Sequence, residues 1–358
     1  MLRLLPRRHR DVGYFLNDPA RELDGVRRGG PGRFVVGAGD ATRHHDVEGV
    51  LRGTSKSEVI GYDLIVAAPR PVSILLATGT DDVQRTLVLA HQEAVKLALS
   101  YLEDRAIVVR ERIRGEDREV SAPLDAAVAF THGVNRAGEP HLHDHVLIGS
   151  TSRTVGRAFD RRVLTAHLPT ADALYVAHLR HVMTTSGTPI WRTFDGHIRV
   201  VGVDEGMLGL WPGGRGIRGA REEKTDWTRD AIIEKWSSRL SDLIPIHTHV
   251  VPERGRLVDE HSLGATLESR RIITRRHLVE AWAHGATFGA PMEELATLIA
   301  TYYPALEQDR GLTERSVSRS VAIPWGLIRE SGARPLDLDA ARLWVQRSRN
   351  RDERSRSR

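Results

Sequence analysis

The chain has 358 residues, no cysteine, and 52 Lys and Arg against 47 Asp and Glu, giving a formal net charge of +5 and a sequence pI near 9.8. Without cysteine there is no disulfide, no Cys-type zinc site and no thiol nucleophile. No run approaches the roughly 18 apolar residues of a membrane span, and the opening Met1 to Arg8 turns basic too soon for a signal peptide, so a cytoplasmic location is expected.

The basic residues are almost all arginine, with Lys56, Lys96, Lys224 and Lys235 as the lysines. Planar guanidinium forks suit phosphates and base edges, which points to a polyanion partner. Genome base composition would produce the same arginine bias, so composition leaves both explanations open. The length gives room for a core and for two domains.

Leu2 to Leu5 reads as a short first strand. Asp11 to Leu16 could open a helix that Asn17-Asp18-Pro19 interrupts, and it carries Tyr14, followed by Phe15, with no other tyrosine before Tyr62. Gly29-Gly30-Pro31-Gly32 is a loop, and Phe34 to Gly39 a short strand or turn. These glycines lack the Gly-Lys-[Ser/Thr] ending of a phosphate loop, and Lys224-Thr225 follows Glu223 where that motif needs glycine, so nothing indicates an ATP-driven motor.

Asp63 to Pro69 is strand-like and ends in a break at Arg70-Pro71-Val72-Ser73. From about Asp81 to Arg105 the residues Val83, Leu87, Ala90, Ala94, Leu97 and Tyr101 keep a helical period. Ala106 to Val109 and Glu119 to Phe130 return to strand character, and Ala166 to Ser186 is a second long helix, closed by Gly187 and Pro189. Strands with two long helices predict an α+β fold with an antiparallel sheet covered by helices on one face.

Composition changes near residue 190, beyond which all seven tryptophans lie. Pro212 to Gly216 reads as a linker, and a mostly helical region follows, in which Thr274 to Trp282 has the pattern of a capped amphipathic helix. The Arg/Ser-rich tail from Gln346 has almost nothing to bury and is expected to be disordered. The expected division is therefore 1–210 for a first domain, 211–345 for a mostly helical accessory region, and 346–358 for the tail.

The chemistry concentrates in His141-Leu142-His143-Asp144-His145. Side chains alternate along a strand, so the three histidines share a face while Leu142, Val146 and Ile148 face a core. Ala127 to His132 is a preceding strand, and Gly133 to Pro140 carries the Gly, Asn and Pro of a long hairpin loop. With His132 roughly opposite His143, three imidazoles (His132, His143 and His145) converge from paired strands with an open side for a substrate. A histidine-rich polar face without an ion is the alternative. His247-Thr248-His249 has no third histidine at the upstream spacing and reads as a strand or loop feature.

With these residues in view, the chain resembles the relaxase domain of the TrwC/TraI-type (MobF) conjugative relaxases, metal-dependent histidine–hydrophobic–histidine (HUH) endonucleases. Gly61-Tyr62-Asp63-Leu64 through Ala68-Pro69-Arg70-Pro71-Val72-Ser73 looks like the family's Asp-Leu to Ala-Pro-Lys-Ser-Val-Ser block. Ala90 to Val95 resembles its helix, and Phe130-Thr131-His132 with Arg136 to His145 resembles its three-histidine segment, with the same gap. Gly156 to Asp160 and the helix containing Tyr175 continue a likeness that covers roughly residues 1 to 205.

The resemblance implies His132, His143 and His145 as metal ligands, with His141 left out because the family commonly has glutamine there. It implies that Asp63 contacts one histidine, either orienting the ring or helping to take the tyrosine proton. Tyr14 is implied as the nucleophile, attacking a single DNA strand to leave a 5′-phosphotyrosine and a free 3′-hydroxyl. Two departures stand out: family members often carry paired N-terminal tyrosines, and Arg70-Pro71 replaces Lys-Ser. The segment from Tyr14 to Asp63 is also shortened. An all-nitrogen ligand set suits Zn, Ni, Co or Mn, while the resemblance makes Mg or Mn the expected working ion.

Arg70, Arg136 and Arg157 flank the proposed site segments and are expected to bind the DNA. The implied partners are single-stranded or hairpin DNA at a transfer origin, accessory DNA-processing proteins and a separate helicase, since no helicase motif occurs in this chain. Two other functions fit the same residues: a non-nicking DNA-binding protein that keeps the fold, and a metal-dependent hydrolase using water.

Overall fold

The computed structural model describes residues 1–8, 33–36, 50, 58–124, 127–135, 137–193, 195–211, 229–241 and 275–291. Tyr14, Arg136, the helix expected at Asp11, the linker at Pro212, the His247–His249 pair and the tail lie outside the described residues. Two compact units are present: Met1–Tyr175 with Arg199–Val250, and Val176–Ile198 with Val251–Arg358.

The first unit is built on a five-stranded sheet of β1 (Leu2–Arg7), β2 (Arg33–Val36), β3 (Gly61–Ala67), β6 (Ala127–Val134) and β7 (Pro140–Gly149). The strand order is β1-β3-β7-β6-β2, and every neighbouring pair is antiparallel. In β7 the even-numbered residues Leu142, Asp144, Val146 and Ile148 are buried on one face. The odd-numbered His141, His143 and His145 share the other face, as period-2 alternation requires. Register carries that face across the sheet. Ala67 and Ile65 lie opposite His143 and His145, His132 lies opposite His143, and Leu5 lies opposite Asp63.

Helices cover the even face. The expected break at Arg70 to Ser73 is instead the first turn of α1 (Arg70–Thr78). Pro71 fits there because the first helical N–H groups have no intrahelical acceptor. Thr80 caps α2 (Asp81–Arg105), with Asp81 and Asp82 in its first turn and Arg105 in its last, matching charge to the helix dipole. The stretch Glu119 to Phe130 is not one strand: β4 (Val108–Ile113) and β5 (Glu116–Ser121) form a separate ribbon, and β6 opens only at Ala127. Pro123, between them, has no N–H to give a ladder. The ribbon's turn puts Arg114 at φ 52° and Gly115 at φ 89°, the left-handed pair that a tight hairpin needs.

After the short β8 (Thr151–Ser152) and β9 (Arg157–Ala158), α3 (Arg161–Thr185) starts five residues before the expected Ala166. Asp160 accounts for this, since its carboxylate accepts from the N–H of Arg162 at 2.8 Å and thereby fixes an earlier start. Gly187, at φ 93°, closes the helix. Asp204 caps α4 (Glu205–Leu210), and α5 (Arg229–Ser241) completes the described part of this unit.

In the second unit the end of α3 meets β10 (Ile190–Arg192) and α6 (Arg275–Gly285), which spans the helix expected near Thr274. Arg180 is buried there and donates to the carbonyls of Ala283 and Thr287, at 2.7 and 2.9 Å, capping the C-terminal end of α6. Burial and then the Arg192 charge lower its pKa to about 9. The architecture is α+β with an antiparallel sheet, and no described helix is long and apolar enough to cross a membrane.

Candidate metal centre

His132 sits near the end of β6, just before the register shifts between His132 and Val134, and directly opposite His143. His145 follows one pleat along β7 on the same face. The ring centroids of these three are 5.0, 5.2 and 5.2 Å apart, and one ligand nitrogen from each lies within 4.8 Å of the others. Among the described residues this is the group that could hold a metal ion.

The hydrogen bonds around two of the rings settle which nitrogen is available. His143 Nδ1 is 2.8 Å from the carbonyl of His141, and a carbonyl only accepts, so Nδ1 carries the proton. His145 Nδ1 lies 3.0 Å from both oxygens of Asp63 and donates to that carboxylate. Each ring therefore presents its Nε2 lone pair, the arrangement in which an outer acceptor fixes the tautomer of a metal-ligating histidine. Burial first, then the neighbouring histidines, holds His143 well below the ordinary histidine pKa, which keeps the lone pair free of a proton. The donor set thus fits a divalent cation.

Asp63 is fully buried and also takes an ion pair from the Arg7 guanidinium on β1. Arg7 belongs to the site, and sequence reasoning missed it. Its signal was only the alternation Arg3, Leu5, Arg7, which puts it on the same face as Asp63. His141 packs against His143 with ring centroids 4.4 Å apart but stays outside the ligand group.

The sequence profile of the TrwC relaxase family matches residues 6–212, more than half of the chain. The chain belongs to that family. The multifunctional conjugation protein TraI of Escherichia coli is 31% identical over 125 residues, 35% of this chain and 6% of TraI. The TraI of strain K12 is 31% identical over 96 residues, 27% of this chain and 5% of that relative. The matched stretch is thus a small part of these curated relatives. Two solved structures of the conjugative relaxase TrwC in complex with oriT DNA, one copper-bound and one described as metal-bound, share the fold. Each has a TM-score of 0.51 and 22% identity, covering 68% of this chain and 98% of theirs.

For a relaxase-family chain the tyrosines matter, and those described point away from the triad. Tyr62 is buried on the helix side of β3, and burial raises its pKa. Tyr101 pairs with His167 at 2.8 Å. Tyr175 is wholly buried on α3 and bonds His91 Nδ1 at 2.7 Å, while His91 Nε2 lies 3.0 Å from Asp144. Burial, then Asp144 and Asp172, pushes the Tyr175 phenol well above 10. This Tyr175–His91–Asp144 chain lies directly behind the metal strand, and its partners are 84 and 53 residues apart in sequence.

Of the arginines expected to bind DNA, Arg70 and Arg157 are described. Arg70, at the start of α1, donates to the Leu208 carbonyl on α4. Arg157 lies on β9, beyond the end of β7 that is remote from His143. The loop between His132 and His143 is held from α5 instead. Trp236 Nε1 donates to the Gly138 carbonyl at 2.9 Å, and Lys235 to that of Ala137.

Proposed function

We propose that this chain nicks and rejoins one strand of DNA at a transfer origin, acting in the cytoplasm with a divalent ion at His132, His143 and His145. The observation that carries the reading is the pair of fixed tautomers, which leaves two Nε2 lone pairs converging with His132. When bound, the ion would polarise the scissile phosphate and offset charge on its oxygens. Mg or Mn is the working ion in this reading, with Zn, Ni or Co able to occupy the same nitrogens.

Asp63 acts as the orienting partner of His145. Both of its oxygens accept from His145, and one also from Arg7, which fits a carboxylate that holds the ring in place. Tyr14 supplies the nucleophile. Its oxygen bonds to phosphorus, the bond to the 3′ oxygen breaks, and that oxygen takes up a proton, leaving a 5′-phosphotyrosine and a 3′-hydroxyl. Attack by the 3′-hydroxyl reverses the step. Support for Tyr14 is its N-terminal position and the family resemblance, and the described tyrosines Tyr62, Tyr101 and Tyr175 are committed elsewhere.

In this reading residues 1–210 carry the chemistry, residues 211–345 steady the site from α5 and meet accessory proteins, and a separate helicase unwinds the duplex. Incubating the chain with single-stranded or hairpin oligonucleotides and Mn or Mg, read on a denaturing gel, tests it. A covalent adduct lost in Tyr14→Phe, with metal and DNA binding kept, is the expected result. Cleavage without an adduct would favour water as the nucleophile, and binding without cleavage would leave a DNA-binding protein. Mass spectrometry finding the nucleotide on another tyrosine would overturn the assignment of Tyr14.

A further inference from the structure

At the end of the sheet remote from the histidines, a cavity of about 480 Å³ opens beside the start of α3, lined by Arg110, Arg157, Phe159, Asp160, Arg161 and Arg162 among others. Its position follows from backbone bonds: Phe159 donates to Ser150 at 2.9 Å, and Ser150 to Ile60 at 3.2 Å, so it adjoins the Gly61 and Gly149 ends of β3 and β7. The triad lies at the Ala67–His143 end. Ala67 is five steps along β3 from Tyr62, about 17 Å at roughly 3.4 Å per residue.

Four guanidinium groups face one carboxylate in this lining, and that carboxylate is already committed. Asp160 caps α3 through the N–H groups of Arg162 and Val163 and pairs with Arg110. Arg157 shares Glu111 only at 4.0 Å, with both side chains well exposed, a pair of little strength in water. Arg161 and Arg162 are exposed and have no acidic side chain within ion-pair distance among the described residues. Because Asp160 occupies the first N–H groups of the helix, an anion here would be held by the arginines rather than by backbone.

We infer that this cleft is a second anion site, gripping the phosphate backbone of a DNA strand away from the bond held at the triad. It rests on the reading that single-stranded DNA is the ligand of this chain. Forked guanidinium groups are the side chains that hold phosphate oxygens in pairs. The aromatic residue in the lining, Phe159, is buried, so no ring is offered for bases to stack on. The contact is therefore with backbone and independent of sequence, unlike sites that combine charge with stacking platforms. At about 3.4 Å per stacked nucleotide, the cleft meets the strand about five nucleotides from the triad.

The test is the salt dependence of binding to a long single strand, read by fluorescence anisotropy without any cleavage. Arg161→Gln/Arg162→Gln should flatten the slope of log affinity against log salt by about 1.4, two contacts at about 0.7 each. At low salt it should weaken binding roughly tenfold. Arg161→Lys/Arg162→Lys, which keeps the charge, should restore most of the slope. Mn affinity of the triad and affinity for an oligonucleotide too short to span both sites should stay unchanged. An unaltered slope in the glutamine variant, equal loss in the lysine variant, or equal loss on short and long strands would overturn the inference. Because no cleavage is scored, a wild-type chain that binds DNA yet forms no adduct would count against nicking and leave this site standing.

Discussion

The two faces of β7 hold histidines of opposite character. On the open face His143 and His145 each use Nδ1 to satisfy a nearby acceptor, so Nε2 is the nitrogen each ring can offer an ion. Behind the same strand His91 uses both nitrogens, accepting from Tyr175 and donating to Asp144, and is sealed from solvent. A ring with both nitrogens matched is a strut; a ring with one matched and one aimed at two others is a ligand. Counting histidines would not separate these cases, whereas counting satisfied nitrogens does.

Removing a ligand should give the largest effect. His143→Ala or His145→Ala should lower Mn or Zn affinity by more than about 100-fold in calorimetry, since each deletes one of three nitrogens. His141→Ala should change it only a few-fold, because that ring packs beside the group without joining it. Equal loss in the His141 and His143 variants would overturn the choice of His132, His143 and His145 as the ligands.

The next pair of variants should separate the two faces by readout. Asp63→Asn keeps the shape and one acceptor oxygen but loses the other and the charge that orients His145, and outer partners of this kind are worth roughly 10–100-fold in metal affinity. His91→Leu strands the Asp144 carboxylate and the Tyr175 hydroxyl in the core, a cost of about 2–4 kcal/mol. The first variant should lose affinity as well as some melting temperature, since Arg7 is left without its carboxylate. The second should lose melting temperature while its folded fraction binds metal almost normally. Reversal of that pattern would mean that the helix side, not Asp63, sets the ligand geometry.

Much of the open face was legible in the sequence, and little of the covered one was. Alternation is a local property, so His143, His145 and the apolar Leu142 and Val146 reveal their faces without any partner. The gap between His132 and His143 needs only a hairpin. Arg7 with Asp63, and His91 with Tyr175 and Asp144, depend on register and helix packing across 56, 84 and 53 residues. No short-range period encodes those distances. Arg70-Pro71 marks in the sequence the end of a strand but not the helix it opens, because proline does both with the same residue. Arg157 flanks the histidine segment in sequence, and the rest of β7 lies between it and the triad.

A smaller effect should come from acid. Burial, then the charge of the N-terminal amine and the neighbouring rings, lowers His141 from 6.5 to about 4, and burial likewise lowers His143. Both rings stay neutral in the folded chain where the unfolded chain takes up protons, so the unfolded state binds more protons below pH 6.5. The sign follows: this contribution is complete above the unfolded value and is lost as pH falls toward the folded one. Without metal, melting temperature should fall as pH drops from 6.5 toward 4, and His141→Ala should flatten that fall. A melting temperature that rises over the same window would contradict neutral, buried rings on the open face.

The smallest effect concerns what steadies the open face from outside the sheet. The loop joining His132 to His143 crosses Gly138, at φ 69°, and the Gly138 carbonyl accepts from Trp236 on α5. Trp236→Phe keeps most of the buried ring and deletes that one donor, which is worth about 1 kcal/mol. Because the bond restrains a loop rather than a ligand, the loss should appear locally. Amide exchange over residues 137–139 should quicken several-fold, Mn affinity should fall by less than about threefold, and the melting temperature should move by only a few degrees. The same reasoning limits how far the chain can be shortened, since ending it near Gly214 removes Trp236 and Lys235 together. Such a fragment should still bind metal through three histidines that all precede the cut, but more weakly than Trp236→Phe does. If the fragment binds as tightly as the whole chain and its loop exchanges no faster, the steadiness of the open face comes from β6 and β7 alone, and α5 has no part in it.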